Sequence, residues 1–151
     1  MSDEIKLEEL DLGHEENVTF ISATIKKYYP RYPLPSDPAE IRSSRATYFK
    51  AFRGSNLFGI TAYVRKTPFL CETVKTVVFE EFKGQGLGKK LSQAIEDECI
   101  KRGFKKIMTS IYDFNIAMIS IKLKQGYVIE GYLRNHDKPG LHEYTLGKEI
   151  K

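Results

Sequence analysis

The stretch Lys83-Gly84-Gln85-Gly86-Leu87-Gly88 follows a run rich in β-branched residues and opens an amphipathic segment. The order strand, glycine-rich turn, helix places this turn at a helix N-terminus. There the first N–H groups lack partners within the helix, the helix dipole adds partial positive charge, and glycines let the backbone approach anionic oxygens. Lys83, Lys89 and Lys90 add positive charge, and residues 83–90 contain no acid. The stretch therefore predicts a site for a ligand with several phosphate groups.

The spacing within this stretch excludes two common nucleotide loops. A P-loop requires a glycine where Lys83 stands and a Ser or Thr after its Gly-Lys pair, and neither is present. The dinucleotide pattern G-x-G-x-x-G fails because Lys89 and Leu91 occupy the positions of a third glycine.

The rest of the chain alternates between strand-like and helix-like patterns. Strands are predicted at residues 5–10, 46–52, 57–65, 69–79, 105–112, 127–133 and 141–147. Helices are predicted up to Tyr28 and at residues 37–44, 87–102 and 115–124. The prolines of segment 28–35 stop the first helix, because proline lacks an N–H and disfavours helical geometry in the preceding residue. The strands from 46 to 79 are expected to form an antiparallel meander.

Length and composition indicate one folded domain. A chain of 151 residues is too short for two domains of ordinary size, and 41% hydrophobic with 29% charged residues is typical of a soluble globular protein. We therefore expect a single domain over residues 1–151. The acidic start lacks the apolar core of a signal peptide and no apolar run is long enough to span a membrane, so we expect a cytoplasmic location.

The cysteines and histidines carry no motif. Cys71 and Cys99 show neither metal-ligand spacing nor a disulfide pattern, and they are predicted to be small apolar fillers. His14, His136 and His142 also lack ligand spacing, so no metal site is proposed.

Two blocks of the sequence resemble a known family. Lys83-x-x-Gly86-x-Gly88 resembles the Q/R-x-x-G-x-G/A pyrophosphate loop of the GNAT superfamily of N-acetyltransferases, with lysine in place of the usual glutamine or arginine. Asn115-x-x-Met118-x-x-Ile121 followed by Gly126-Tyr127 is similar to the family segment N-x-x-A-x-x-L-Y-x-x-x-G-F. The two blocks have the family's order and separation, and the strand and helix order resembles the family's over residues 5–147.

The resemblance implies a mixed α/β fold with a mostly antiparallel twisted sheet, whose fourth and fifth strands splay apart, flanked by about four helices. Acetyl-CoA would be the cosubstrate, with its pantetheine in the split beside the strand backbone and its pyrophosphate on the loop amides. Asn115 would contact the cofactor arm. The cofactor-binding residues implied by the resemblance are Val78, Phe79, Lys83, Gly84, Gln85, Gly86, Leu87, Gly88, Lys89 and Asn115.

Acetyl transfer to an amine requires a neutral nucleophile, whereas a lysine side chain with a pKa of about 10.4 is charged at neutral pH. Glu72 is the predicted base, because its place eleven residues before Lys83 resembles the catalytic position of the histone and N-terminal acetyltransferase branches. An exposed strand glutamate is the alternative reading of Glu72. In the family, a backbone N–H near Val78 and Phe79 stabilises the oxyanion.

The thiolate of coenzyme A must also gain a proton. Relatives use a tyrosine seven residues after the asparagine of the second block, and Lys122 stands at that position here. Lys122 is read as a proton donor, as a charge partner of the thiolate, or as a solvated helix residue. Tyr112 and Tyr127 are alternative donors, although Tyr127 matches a core aromatic of the family.

The predicted function is direct transfer of acetyl from acetyl-CoA to a primary amine of a protein, peptide or small molecule. A coenzyme A binding module without turnover is the main alternative. A nucleic-acid binder using the basic aromatic segment 26–32 is disfavoured, because the net charge of +4 is modest and acidic residues are spread along the chain. That segment and the hairpin at 134–136 are expected to shape the acceptor side. The oligomeric state, monomer or homodimer, stays open.

Overall fold

A computed structural model gives the fold and describes residues 4–30 and 36–151. The elements are, in chain order, β1 (Ile5–Glu9), α1 (Glu15–Tyr28), α2 (Pro38–Ser43), β2 (Ala46–Arg53), β3 (Asn56–Arg65), β4 (Leu70–Val78), α3 (Leu87–Lys101), β5 (Lys106–Tyr112), α4 (Ile116–Lys124), β6 (Val128–Leu133) and β7 (Glu143–Glu149). A 3₁₀ turn at Glu80–Phe82 joins β4 to the glycine-rich stretch. All predicted strands and helices are present. Residues 31–35 of the predicted aromatic loop lie outside the described ranges.

The seven strands form a sheet in the order β1-β2-β3-β4-β5-β7-β6. Every neighbouring pair is antiparallel except β4 and β5, which run parallel. The predicted meander is confirmed in β2, β3 and β4. The final hairpin is also confirmed, but β7 lies between β5 and β6. The structure therefore confirms a mixed, mostly antiparallel sheet with four helices.

Strands β4 and β5 separate after a short pairing. They pair at Leu70–Lys106, Cys71–Ile107 and Glu72–Met108, after which β4 stays on β3 and β5 stays on β7. Just beyond the last pair, the hydroxyl of Thr109 donates a buried hydrogen bond of 3.1 Å to the carbonyl of Thr73. The expected splaying of these strands is confirmed, and it opens a cleft within the sheet.

Successive residues of a strand point to opposite faces, and both faces of this sheet are covered. Tyr48 packs with α1 and α2, whereas Phe49 packs with residues of α3 and α4. The predicted apolar stripe of α3 is buried at Leu87, Leu91, Ile95 and Cys99. Cys71 and Cys99 are buried free thiols, consistent with their expected role as apolar fillers. None of the helices in the described ranges has the length and hydropathy of a membrane span.

Gly59 of β3 marks a close approach between β3, β4 and α3. A Cβ atom at this position would lie 2.2 Å from the carbonyl oxygen of Val77 and 3.4 Å from the side chain of Leu91. The carbonyl belongs to the backbone of β4, so it cannot move without disturbing the pairing of β3 and β4.

Gly59→Ala is therefore expected to lower the free energy of unfolding by about 1–3 kcal/mol, the usual cost of overpacking a core. Gly88→Ala is the control, because Gly88 lies in α3 with no heavy atom near its Cβ position, and alanine favours a helix. Urea unfolding followed by circular dichroism measures both variants. Equal stability of Gly59→Ala and the parent protein would contradict this account of the strand contact.

Candidate active site

The glycine-rich stretch forms the N-terminus of α3. Gly84 and Gly86 have φ angles of +80° and +73°, a left-handed conformation that favours glycine. Gly86 is the N-cap residue and offers no side chain to the first N–H groups of the helix. A Cβ at Gly84 or Gly86 would meet no protein atom within 4 Å. The loop is thus an open cradle whose amides can bind an anion.

The side chains of the loop differ in their surroundings. Lys83 is exposed and forms an ion pair of 3.0 Å with Glu80. The side-chain oxygen of Gln85 accepts a hydrogen bond of 2.8 Å from Arg53. Lys89 is exposed, whereas the side chain of Leu87 is buried in the core. Leu87 can therefore contribute only its backbone to a ligand.

Tyr28, the last residue of α1, holds the turn that precedes the loop. Its hydroxyl accepts a hydrogen bond of 2.9 Å from the N–H of Glu80, and its ring stacks on Phe79 at 5.9 Å between centroids. The Lys83 ammonium lies 5.9 Å from the centre of the same ring. The sequence placed Tyr28 in a segment expected to shape the acceptor side, and the structure shows it supporting the glycine-rich loop.

The end of β4 presents one backbone edge to the split. The N–H of Phe79 donates to the carbonyl of Phe58 at 2.8 Å, so this group is already used within the sheet. Because successive residues of a strand direct their amides to opposite edges, the amide of Val78 faces the split. Of these two predicted residues, Val78 is therefore the one whose N–H can meet a ligand.

The split opens into a cavity of about 490 Å³. Its lining brings together Glu72 of β4, Tyr112 of β5, and Asn115 and Lys122 at the start and within α4. Asn115 also caps α4, because its side-chain oxygen accepts a hydrogen bond of 3.2 Å from the N–H of Met118. The predicted catalytic residues thus share one cavity, and the loop residues 83–89 lie outside its lining.

Glu72 lies in a group of ionisable side chains in this cavity that sequence reasoning did not bring together. We call it the polar cluster, and it consists of Glu72, Lys75, His136, Asp137 and Glu143. The ligand atoms of its last three members lie within 4.8 Å of one another, a spacing that could hold a cation.

Strand register explains why sequence reasoning missed Glu143. It lies directly opposite Tyr112 in the pairing of β5 with β7. The hydroxyl of Tyr112 donates to Asp137, which precedes β7 in the hairpin. Besides Glu72, the predicted base, only His136 of the polar cluster was expected near the site, as part of that hairpin, because these contacts require the order of strands to be known.

Burial shifts the pKa of two members of the polar cluster. It raises the pKa of Glu143, with Asp137 and Glu72 acting in the same direction and His136 opposing them. Burial lowers the pKa of Lys75, while Glu72 and Asp137 act to raise it. The Glu72 carboxylate lies 3.5 Å from the ammonium of Lys66. Shifted groups gathered in a cleft are characteristic of sites where protons are moved.

Lys122 is buried, with only 4% of its surface exposed. The structure therefore excludes the solvated role among the three that the sequence allowed. Its ammonium lies 4.7 Å from the ring centre of Tyr127, and desolvation lowers its pKa to about 8. Tyr127 is itself buried and belongs to the core, as its family position suggested.

The fold agrees with comparisons to known proteins. Residues 13–127 match the model of the acetyltransferase (GNAT) family. The chain belongs to this family. No curated protein matches the chain.

Solved structures share the fold at low sequence identity. A Bacillus subtilis acetyltransferase in complex with CoA gives a TM-score of 0.77 at 16% identity, covering 98% of this chain and 100% of that one. The aminoglycoside 6'-N-acetyltransferase from Enterococcus faecium gives a TM-score of 0.72 at 17% identity, and the match covers 97% of both chains. A GNAT family acetyltransferase from Elizabethkingia anophelis with acetyl-CoA bound gives a TM-score of 0.71 at 14% identity, and the match covers 99% of this chain and 100% of that one.

The burial of Lys122 predicts a pH-dependent stability. Its pKa of about 8 lies below the ordinary 10.5, so between these values the unfolded chain binds more protons and stability rises with pH. Lys122→Met removes the charge, so it should raise the free energy of unfolding at pH 7 by up to about 3 kcal/mol, and the gain should shrink towards pH 10.

Urea unfolding between pH 7 and pH 10 measures this difference. Lys124→Met is the matched control, because Lys124 lies on the same helix and is exposed, and surface substitutions change stability by about 0.5 kcal/mol or less. A difference between Lys122→Met and the parent that does not vary with pH would show that the Lys122 charge is not desolvated.

Proposed function

We propose that this protein is an acetyl-CoA-dependent N-acetyltransferase that moves acetyl directly to a primary amine. The observation that carries the proposal is the meeting of Glu72, Tyr112 and Lys122 in one cavity at the split between β4 and β5. Membership of the GNAT family supports it, as do the similar structures with CoA or acetyl-CoA bound and the similar enzyme that acetylates aminoglycosides. The proposal includes a single domain over residues 1–151 and a cytoplasmic location.

The residues at the loop fit the cosubstrate. Free amides at the N-terminus of α3 and open space beside Gly84 and Gly86 suit a pyrophosphate, and Lys83 and Lys89 add positive charge. Residues 84–88 would hold the phosphates through their backbone, with Gln85 beside them. Val78 would bind the pantetheine amides through its backbone, with Phe79 as the neighbouring strand residue and Asn115 near the arm. Acetyl-CoA would supply the thioester that carries the acetyl group.

We assign removal of the amine proton to a carboxylate of the polar cluster. Keeping a lysine-like amine neutral at pH 7 costs about 4 kcal/mol, so a nearby base is valuable. Glu72 lines the cavity on β4, close to the point where the strands part, and we propose it as that base. Glu143 is a second carboxylate in the same cavity and is buried, and its raised pKa favours proton uptake.

We assign protonation of the departing thiolate to Lys122. Lys122 is buried and lines the cavity, and a cation beside a thiolate favours departure of the sulfur. Its pKa of about 8 is close to the ordinary thiol value of about 8.5, so a proton can pass between the two groups at little cost. Lys122 would thus do the work of the tyrosine used by relatives, with Tyr112 as the alternative donor in the same cavity.

Gly86→Val is expected to abolish coenzyme A binding, because a branched side chain would fill the cradle where phosphate oxygens approach the amides. Isothermal titration calorimetry with coenzyme A measures this loss. Valine is also strained at a positive φ, so Gly54→Val is the matched control: Gly54 has a φ of +61° in the turn between β2 and β3, with open space around it. Normal affinity in a folded Gly86→Val protein would remove the central claim.

Glu72→Gln is expected to lower kcat by about 10²-fold while leaving coenzyme A affinity nearly unchanged, the size typical of losing a general base. Release of free thiol with a panel of amines over a pH series measures the rate. Glu143→Gln is assayed in parallel. If it lowers kcat more than Glu72→Gln does, Glu143 is the base and Glu72 is not. A parent protein that binds coenzyme A but releases no thiol with any amine would support the binding module instead.

A further inference from the structure

Lys122 belongs to a buried charged cluster whose other members have no role in the reaction above. The buried charge cluster consists of Glu96 of α3, Lys122 of α4, Tyr127 and Lys148 of β7. Glu96 is only 2% exposed, although it lies in the middle of a helix whose other face is charged. One of its carboxylate oxygens accepts hydrogen bonds from Lys148 at 3.0 Å and from Gln93 at 3.1 Å. The other oxygen is buried without a hydrogen-bond partner among the described residues.

Two ammonium groups lie near the ring of Tyr127, and one of them is bonded to this carboxylate. Lys122 lies 4.7 Å and Lys148 lies 5.9 Å from the ring centre of Tyr127. Lys148 is bonded directly to Glu96, whereas Lys122 has no hydrogen bond or ion pair to its ammonium within the described part of the chain. With all three groups ionised, the cluster carries one positive charge in excess. The proton of Lys122 is the one least firmly held, because Lys122 lacks the direct bond.

Glu96 is held in place by a chain of hydrogen bonds between α3 and α4. The hydroxyl of Ser92 donates to Gln125 at 2.9 Å, the amide of Gln125 donates to Gln93 at 3.2 Å, and the amide of Gln93 donates to Glu96. Gln125 directly follows α4, the helix that carries Lys122. The carboxylate is therefore fixed relative to both helices, and α3 is the helix whose N-terminus forms the cofactor loop.

We propose that Glu96 is a positioning residue that keeps Lys122 protonated for the thiolate, and that Lys148 opposes it by competing for the same carboxylate. This inference rests on the proposed donor role of Lys122. In the transfer, the carbon–sulfur bond breaks and the carbon–nitrogen bond forms. The amine proton passes to the base, and the Lys122 N–H bond breaks as the S–H bond forms. Lys122 then regains a proton from solvent.

The charges around Lys122 act in the directions that this role requires. Desolvation lowers its pKa most, the Glu96 carboxylate of α3 raises it, and Lys148 of β7 lowers it. Cys99 of α3 is a neutral thiol, because the hydrogen bond with Cys71 and burial raise its pKa. Tyr127 contributes its ring and is buried as a neutral phenol, since burial raises its pKa. On the cavity side, the ionisable groups are those of the polar cluster together with Lys66 and the phenols of Tyr29, Tyr48 and Tyr112. Without Glu96, burial and Lys148 would both drive Lys122 towards the neutral amine, which has no proton to donate.

The test is the titration of Lys122 itself, measured by NMR on protein labelled with ¹³C at the lysine ε carbons. Lys122→Met identifies its signal by removing it. Glu96→Gln should lower the titration midpoint of Lys122 by about one pH unit or more, since an opposite charge at close range shifts a pKa by about 1–3 units. Lys148→Met should raise it. Asp97→Asn is the matched control, because Asp97 lies next to Glu96 on α3 but is exposed, and it should leave the midpoint unchanged.

Glu96→Gln and Lys148→Met should shift the titration midpoint of Lys122 in opposite directions, so either variant tests the proposal if the other fails to fold. An unchanged midpoint in Glu96→Gln or in Lys148→Met would overturn it, without bearing on acetyl transfer. The pH profile of kcat then tests the donor role, because activity that needs protonated Lys122 falls as pH rises through its pKa. The alkaline limb should move to lower pH in Glu96→Gln and to higher pH in Lys148→Met. Shifted midpoints with unmoved limbs would place the failure in the donor role of the proposed function.

Discussion

The separation of β4 from β5 is the constraint on which the rest of this structure depends. Parallel pairing lasts for three residue pairs, and each strand then keeps only its outer partner. Backbone groups on the inner edges, such as the amide of Val78, are left for water or a ligand to satisfy. The buried bond between Thr109 and Thr73 stands where the strands part. A sheet that is continuous elsewhere thus contains a cleft lined by its own backbone and by polar side chains.

Helix α3 carries two different electrostatic environments, one at its N-terminus and one at its middle. The N-terminus of α3 offers unpaired amides at an exposed glycine turn, whereas its middle buries the Glu96 carboxylate beside two ammonium groups. Burying a charge is costly unless it is compensated, so Glu96 and Lys148 depend on each other, and Lys122 remains only partly compensated. Because an incompletely compensated buried cation releases its proton readily, this packing gives the cavity a group that titrates near physiological pH.

Much of the fold could be predicted from sequence, because its elements are marked locally. The strands from 46 to 79 are separated by turn residues, and α3 shows its apolar stripe at Leu87, Leu91 and Ile95. The position of β7 between β5 and β6 carries no local mark. That insertion places Glu143 opposite Tyr112. Lys75, Asp137 and Glu143 of the polar cluster therefore escaped sequence reasoning, although Glu72, Asn115 and Lys122 could be named from the spacing of two family blocks.

The sequence by itself determined the strand, glycine turn and helix around residues 83–88, the order of elements and the family, because periodicity, turn chemistry and motif spacing act over short stretches of chain. Tertiary structure alone decided the burial and the ionisation of the Lys122 side chain. Its position on α4 was equally compatible with solvent, and its burial against Tyr127, Glu96 and Lys148 arises from packing between elements far apart in the chain. The ionisation of a side chain depends on the desolvation and the charges around it, and those exist only once the chain has folded.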